Sequence, residues 1–228
     1  MNRLDRSAPG TECVVLLHGL GRTRFSMNRA RKRLESSGFR VINVQYRSRS
    51  RPIDALAADV CERLGRELPA DCARVHFLTH SMGGIVLRGI LAGDGAPANL
   101  GHVVMLAPPN RGSLVADRLG DNRLFRTLLG PAGQQLRAGA NSVPPSLGPA
   151  DYVLGVIAGN RPSMPWARLI EGDNDGTVAV SETRLEGMTD FLVVPCGHTF
   201  MMNDPGVLDQ AIRFFRTGRF ARPAESSD

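Results

Sequence analysis

The sequence predicts an α/β fold with a mostly parallel six-stranded sheet and helices on both of its faces. Short, continuously apolar runs alternate with longer segments in which apolar residues recur every three or four positions. This alternation, at the spacing of βαβ crossovers, is typical of parallel strands that are buried on both faces. With 228 residues and 42% hydrophobic content, the chain suits one domain with an ample core, and we assign 1–228 to it.

The first half of the chain follows this alternation closely. Strands are predicted over 13–17, 41–46, 75–79 and 103–107, with helices over 25–37, 52–68 and 82–91 between them. Ser26 is a candidate cap for the first helix, and Pro52 suits the start of the second.

The second half is less regular. Residues 110–151 contain Gly, Pro and Asn around two short amphipathic segments, which predicts a short cap or lid-like insertion over the site. Strands return at 152–158 and 191–196, and a closing helix is predicted over 209–216. Residues 1–12 are predicted to be a loose arm, and 217–228 a frayed tail.

Ser81 lies where a predicted strand turns sharply into a predicted helix. The surrounding Thr79 to Gly83 resembles the Gly-x-Ser-x-Gly nucleophile elbow, with threonine in place of the first glycine. Small residues are needed two positions from the serine because the turn is tight. The turn lifts the serine hydroxyl above the sheet and directs the N–H of Met82 towards a developing oxyanion.

A serine hydroxyl becomes a strong nucleophile only when a base takes its proton. His198 is the candidate base because it directly follows the last predicted strand, and the carboxyl ends of parallel strands share one edge of a sheet. The remaining histidines lie in a loop, inside a strand, within the elbow and at a strand start: His18, His76, His80 and His102.

Asp173 and Asp175 compete for the role of the acid that orients the base. Both precede His198, which gives the chain order Ser, Asp, His. We prefer Asp175 because it is followed at once by Gly176, whose tight turn lets a carboxylate point back to the sheet edge. Asp173 is then interpreted as a turn or loop-capping residue.

The oxyanion requires a second N–H donor besides that of Met82. The loop after the first strand is the expected source. Gly19 and Gly21 give this loop conformational freedom, so the amide of Leu20 is the predicted donor.

Net charge is +6, and Lys32 is the only lysine among 28 basic residues. Two basic clusters, 29–33 and 47–51, are interpreted as a solvated helix face and a basic loop, because no aromatic platform or nucleic-acid module accompanies them. We therefore expect no nucleic-acid partner. No apolar run approaches the ~20 residues of a membrane span, and no secretory signal is visible, so a cytoplasmic location without stable membrane insertion is expected.

The four cysteines form neither a CxxC pair nor a metal-binding spacing. Cys13 and Cys196 fall in apolar runs and are predicted to be buried thiols. A bridge between Cys61 and Cys72 is an alternative that the sequence leaves open.

The chain resembles the α/β-hydrolase superfamily, in particular small bacterial lipases and esterases with a minimal sheet. The resemblance runs from about Cys13 to Phe215 and depends on five segments in order: His18 to Gly21, Thr79 to Gly84, Ala107 to Ser113, Asp175 to Val178, and Gly197-His198. It implies a minimal α/β-hydrolase fold in which Ser81 is the nucleophile, Asp175 the acid and His198 the base. Leu20 and Met82 would form the oxyanion hole.

The resemblance also implies the reaction. A carboxylic ester, small or lipid-like, would be cleaved through an acyl-enzyme, with neither metal nor organic cofactor required. His18, Gly19, Phe25 and Trp166 are the predicted substrate-binding residues. A thioesterase or an acyltransferase would share the same triad. A non-catalytic binding protein of this fold would be expected to lack one of its members.

Overall fold

The fold is built on one sheet of six parallel strands. The computed structural model of the protein describes residues 10–120, 123–137, 142–162, 167–168 and 170–222. The strands are β1 (Glu12–Leu17), β2 (Arg40–Val44), β3 (Arg74–His80), β4 (Leu100–Leu106), β5 (Leu154–Gly159) and β6 (Asp190–Val194). They lie in the order β2-β1-β3-β4-β5-β6, and every neighbouring pair is parallel. This confirms the predicted α/β class and strand number.

Helices cover both faces of the sheet. The α-helices are α1 (Asn28–Glu35), α2 (Ile53–Glu67), α3 (Met82–Leu91), α4 (Leu114–Gly120), α5 (Arg123–Gln135), α6 (Val143–Ser146), α7 (Val180–Thr183) and α8 (Pro205–Thr217), with 3₁₀ helices η1 (Arg24–Met27) and η2 (His198–Asn203). Alternate residues of β1 enter two separate cores, Val15 against α2 and α3, and Val14 against α1 and α8. Continuous apolar strands are required because both faces are covered.

Several predicted boundaries are wrong by a few residues. The helix predicted over 25–37 is divided into η1 and α1, and Ser26 does not cap it, since its hydroxyl donates to the carbonyl of Thr23. Glu12 belongs to β1 and not to the loose arm. The predicted frayed tail is packed as far as Phe220, which is buried and whose N–H donates to Asp190 Oδ2 at 2.9 Å.

The cysteine prediction is corrected. Cys13, in β1, is joined in a disulfide to Cys72, which precedes β3, with 5.9 Å between their Cα atoms. The bond is possible because β1 and β3 are neighbouring strands. Cys61 and Cys196 are free. Disulfides are typical of proteins from oxidising compartments, which does not favour the predicted cytoplasmic location. Within the described ranges, no helix has the length and apolarity required to span a membrane.

The insertion over 110–151 contains α4, α5 and α6. Both of its ends are held by buried Arg88 of α3, whose guanidinium donates to the backbone and side-chain oxygens of Asn110 and to the carbonyl of Gly148. Within α5 the chain is kinked at Gly130 (φ 65°), where a Cβ would overlap the carbonyl of Arg49. The insertion is therefore closely packed against the body at its ends and at this kink.

Candidate active site

Ser81 lies at the apex of the turn between β3 and α3. Its backbone is strained, with φ 53° and ψ −127°, a region that non-glycine residues rarely adopt. Its N–H donates to the carbonyl of Leu106 at 2.8 Å, which holds the turn against β4. Gly83 is required because a Cβ there would lie 2.6 Å from the carbonyl oxygen of Leu17. This geometry is that of a nucleophile elbow.

Thr79 replaces the usual first glycine of the elbow without a clash. Its side chain is fully buried. A Cβ on Gly84 would lie 3.3 Å from Thr79 Oγ1 and 3.2 Å from the sulfur of Met105. The Thr79 side chain therefore fits because the facing residue of α3, Gly84, has no side chain. In this way the second glycine of the Gly83-Gly84 pair compensates for the threonine at position 79.

Ser81, His198 and Asp175 form one continuous chain of hydrogen bonds. His198 Nε2 lies 3.1 Å from Ser81 Oγ, and His198 Nδ1 lies 2.7 Å from Asp175 Oδ2. The N–H of His198 also donates to the backbone carbonyl of Asp175 at 3.0 Å. The structure brings together the three residues that the sequence selected, although they are far apart in the chain.

The choice between the two aspartates follows from their surroundings. Asp175 is 1% exposed, and its Oδ1 accepts from the N–H groups of Thr177 and Val178 at 2.9 and 2.8 Å. Its other oxygen is thereby aimed at His198. Asp173 is exposed and contributes its backbone carbonyl to Val180. The turn-capping role predicted for Asp173 belongs to Asn174, whose Oδ1 accepts from Gly176 N–H.

His80 is a second histidine at the site. Its ring is buried, 4.9 Å from the ring of His198 between centroids, and its Nε2 lies 3.0 Å from the carbonyl oxygen of His198. Burial lowers the pKa of His80 well below its usual value, so the ring is neutral. A carbonyl can only accept, so Nε2 carries the proton and donates. His80 therefore fixes the backbone of His198 through this hydrogen bond.

The loop after β1 carries Leu20, the predicted second oxyanion donor. The Tyr46 hydroxyl donates to the carbonyl of His18, and Gly21 N–H donates to Ser48 Oγ at 3.0 Å, so the loop is fixed on both sides of Leu20. In the part of the chain described, neither Leu20 N–H nor Met82 N–H donates to a backbone carbonyl. Met82 opens α3, where the first N–H groups lack intrahelical acceptors.

The four predicted substrate-binding residues have different outcomes. Gly19 lines the cavity beside Ser81, and a Cβ there would lie 3.2 Å from Ser81 Cβ. The prediction for His18 is wrong, because its ring is fully buried and stacks on Tyr46 at 4.2 Å between centroids. Phe25 does not line the cavity and is 67% exposed on η1. Trp166 lies outside the described residues.

A cavity of about 270 Å³ opens beside Ser81 and His198. Most of its lining is apolar and comes from the loop after β1, the insertion and the segment after Asp175. The apolar side chains are Leu20, Pro109, Val115, Ala116, Leu129, Leu136 and Val178. Residues of the insertion 110–151 therefore contribute much of the wall of this cavity.

Several side chains at this site were not predicted, among them two polar ones. Arg22 lines the cavity, and His80 contacts His198. A signal existed for Arg22, since it follows directly the loop assigned to the oxyanion. None existed for His80, because adjacency to Ser81 predicts only that its ring points away from the hydroxyl.

The comparisons with known proteins agree with this architecture. Residues 14–211 match the sequence profile of the Alpha/beta hydrolase family, so the chain belongs to that family and to its class of hydrolases. No curated protein matches the sequence.

Solved structures with the same fold include lipases and esterases. The mature form of a Bacillus licheniformis lipase aligns over 89% of this chain and 91% of its own, with 17% identity and a TM-score of 0.72. In the propeptide form of that lipase, the chain spans about half of the length, 52%. A metagenomic carboxyl esterase aligns over 84% of this chain and 65% of its own, with 21% identity and a TM-score of 0.68. An esterase from Pyrococcus furiosus aligns over 91% and 81%, with 16% identity and a TM-score of 0.63.

Proposed function

We propose that this protein is a serine hydrolase that cleaves carboxylic esters through an acyl-enzyme. The observation that carries the proposal is the unbroken path from Ser81 Oγ through His198 to the buried Asp175 carboxylate, with distances of 3.1 and 2.7 Å. The lipases and esterases among the structures of similar fold support an ester as the substrate.

In the first half of the reaction, His198 Nε2 takes the Ser81 proton as the oxygen attacks the ester carbonyl. Asp175 keeps the proton on Nδ1 of His198 and stabilises the imidazolium that forms. The N–H groups of Leu20 and Met82 receive the negative charge of the tetrahedral intermediate. Collapse releases the alcohol, which takes its proton from His198.

In the second half, His198 activates a water molecule that attacks the acyl-enzyme, and the acid leaves. Ser81 recovers its proton from His198. The cavity of about 270 Å³ lies just below the ~300–1,000 Å³ usual for small-ligand sites, which favours short acyl groups.

The test is hydrolysis of p-nitrophenyl esters from acetate to palmitate. We expect turnover to be highest with short chains, and Ser81→Ala to reduce kcat by more than about 10⁴-fold. Ser50→Ala, which changes an exposed serine bonded to the carbonyl of Arg47, is the matched control and should retain activity.

If no ester is hydrolysed, a fluorophosphonate probe distinguishes a wrong choice of substrate from an unreactive Ser81. Labelling of Ser81 without turnover on any ester would show a live nucleophile and a different substrate, and S-acyl thioesters would then be assayed. If the probe does not label Ser81, or if Ser81→Ala is as active as the wild type, the protein is not a serine hydrolase of this mechanism.

A further inference from the structure

Arg22 is placed at the candidate active site by the same loop that carries the predicted oxyanion donor. Its N–H donates to the carbonyl of Gly19 at 3.3 Å, closing a turn around Leu20. Gly21, with φ 67°, allows that turn. Arg22 is half-buried, and it lines the cavity together with Ser81 and His198. The turn thus places Arg22 at the cavity that also holds Ser81 and His198.

The charge of Arg22 is not balanced by an acidic side chain of any residue that the structure describes. Among the described residues that line the cavity, Arg22 carries the only fixed charge, and no carboxylate is among them. Within the described chain Arg22 makes no ion pair, whereas Arg31, Arg33 and Arg51 at the surface bind Glu35, Asp209 and Asp59. The positive charge of Arg22 also acts on His80: burial is the main cause of the lowered pKa of His80, and Arg22 lowers it further.

The position of Arg22 indicates which part of a substrate it would meet. It lies two residues before η1, and η1 contacts η2, which begins at His198 and presents Thr199 to the same cavity. Because His198 returns its proton to the departing alcohol, the wall beside it faces the alcohol portion of the ester. The acyl portion would then contact the apolar part of the cavity wall, which the insertion helps to form.

We infer that the site selects esters whose alcohol portion carries an anionic group, such as a phosphate monoester, held by the Arg22 guanidinium. An unpaired half-buried cation is costly to desolvate, and an anionic ligand that supplies charge-assisted hydrogen bonds removes that cost. The acyl C–O bond is the one that breaks, water supplies the oxygen of the acid, and the phosphate stays on the released alcohol. This inference rests on the proposed esterase function.

The test compares substrates that differ only in the phosphate. One pair is 1-butyrylglycerol and 1-butyrylglycerol 3-phosphate, which are both water-soluble. The other is monopalmitoylglycerol and its 3-phosphate, a lipid whose headgroup carries the same anion. We expect kcat/KM to be about ten- to a hundredfold higher for the phosphorylated member of the soluble pair, as for hydrogen bonds to charged groups. A preference for the phosphorylated member in the lipid pair alone would overturn the inference that Arg22 binds the phosphate of a single substrate molecule. It would indicate that the protein is attracted to the charged surface of the lipid aggregate.

Arg22→Gln should bring the ratio of kcat/KM for the phosphorylated over the unphosphorylated soluble ester close to one. Arg22→Lys should keep part of the preference. The control is Arg24→Gln, because the Arg24 guanidinium lies over the Phe25 ring at 5.4 Å, outside the cavity, and the ratio should persist. Fluorophosphonate labelling of Ser81 in every variant verifies a folded site. Raising the salt concentration should reduce the wild-type ratio.

The outcomes are distinguishable. If the wild type hydrolyses p-nitrophenyl butyrate in a Ser81-dependent manner but shows no phosphate preference, the inference about Arg22 is overturned and the esterase proposal stands. A preference for p-nitrophenyl hemisuccinate, which carries its anion on the acyl side, with none for the phosphorylated alcohol, would overturn the assignment of Arg22 to the alcohol side. If no ester is cleaved and Ser81 is not labelled, the proposed function itself fails.

Discussion

At the scale of single residues, His80 is a buried side chain that lies at the cavity and contacts the proposed base, His198. It holds the His198 backbone through one hydrogen bond of 3.0 Å, and its Nδ1 faces the Gly19 backbone, where a Cβ would lie 3.0 Å away. Its ring therefore lies between His198 and the loop after β1. We regard it as a positioning residue.

We expect His80→Ala to lower kcat about three- to tenfold with little change in KM, because one buried hydrogen bond of about 0.5–1.5 kcal/mol is lost. His80→Gln, whose amide can reach the same carbonyl, should recover part of the loss. The measurement is steady-state kinetics on p-nitrophenyl butyrate, with the urea midpoint of each variant as a check on folding. Equal loss in both variants, in proportion to stability, would make His80 a packing residue only.

Single residues also show what a sequence can and cannot predict. Ser81, Asp175 and His198 were predictable as neighbours because each follows a strand, and parallel strands end at one edge. The direction of a side chain is harder to predict. His18 also follows a strand, but its ring turns away to stack on Tyr46. The Cys13–Cys72 bond depends on β1 lying beside β3, a strand order that spacing along the chain does not specify.

At the scale of elements, α3 connects Ser81, the proposed nucleophile, to the insertion 110–151. Ser81 precedes its first residue, and Arg88 near its end donates to Asn110 and Gly148, the two ends of the insertion. A second tie comes from Glu182, whose carboxylate accepts from the N–H groups of Leu114 and Ala179 at 2.7 Å each. The insertion is thus fastened to elements that also carry the proposed catalytic residues.

Replacing Arg88 should loosen the insertion more than the body. We expect Arg88→Met to lower the free energy of unfolding by about 2 kcal/mol, since it removes the donor to the oxygens of buried Asn110 and to the half-buried carbonyl of Gly148. Proteolytic cleavage within 110–151 under native conditions should accelerate further than this loss alone explains. Limited proteolysis and urea unfolding measure the two effects.

The matched control for Arg88→Met is Arg66→Met, on the exposed side of α2. Arg66 makes an ion pair with Glu62 at the surface, where such pairs contribute little. It should change neither measurement appreciably. Cleavage of both variants at the wild-type rate would show that Arg88 does not fasten the insertion.

At the scale of the whole molecule, the packed sheet keeps several histidines neutral. His76 lies inside β3 with its ring fully buried, and its Nδ1 accepts from His102 N–H at 2.9 Å. Burial, with smaller contributions from His102 and Arg74, lowers the pKa of His76 to about 4. Burial also lowers the pKa values of His18 and His80. These three histidines therefore bind protons less readily in the folded chain than in the unfolded chain.

This difference predicts a loss of stability in acid. Above about pH 6.5 His76 is neutral in both states and makes no pH-dependent contribution. Between about pH 6.5 and 4 only the unfolded state binds the proton, so the free energy of unfolding falls as pH falls, by roughly 3 kcal/mol for His76 alone. Below about pH 4 the folded state also binds it, and the fall from this residue ends.

His76→Asn isolates this contribution, because the asparagine oxygen can still accept the His102 N–H while carrying no titratable group. We expect urea midpoints between pH 7 and 4.5 to decline less steeply in the variant, while His18 and His80 continue to produce the remaining slope. Measuring both proteins at pH 7 as well separates any loss of packing, which shifts the midpoint equally at every pH, from the protonation effect. Parallel curves across the whole range would show that His76 binds its proton equally well in the folded and unfolded states.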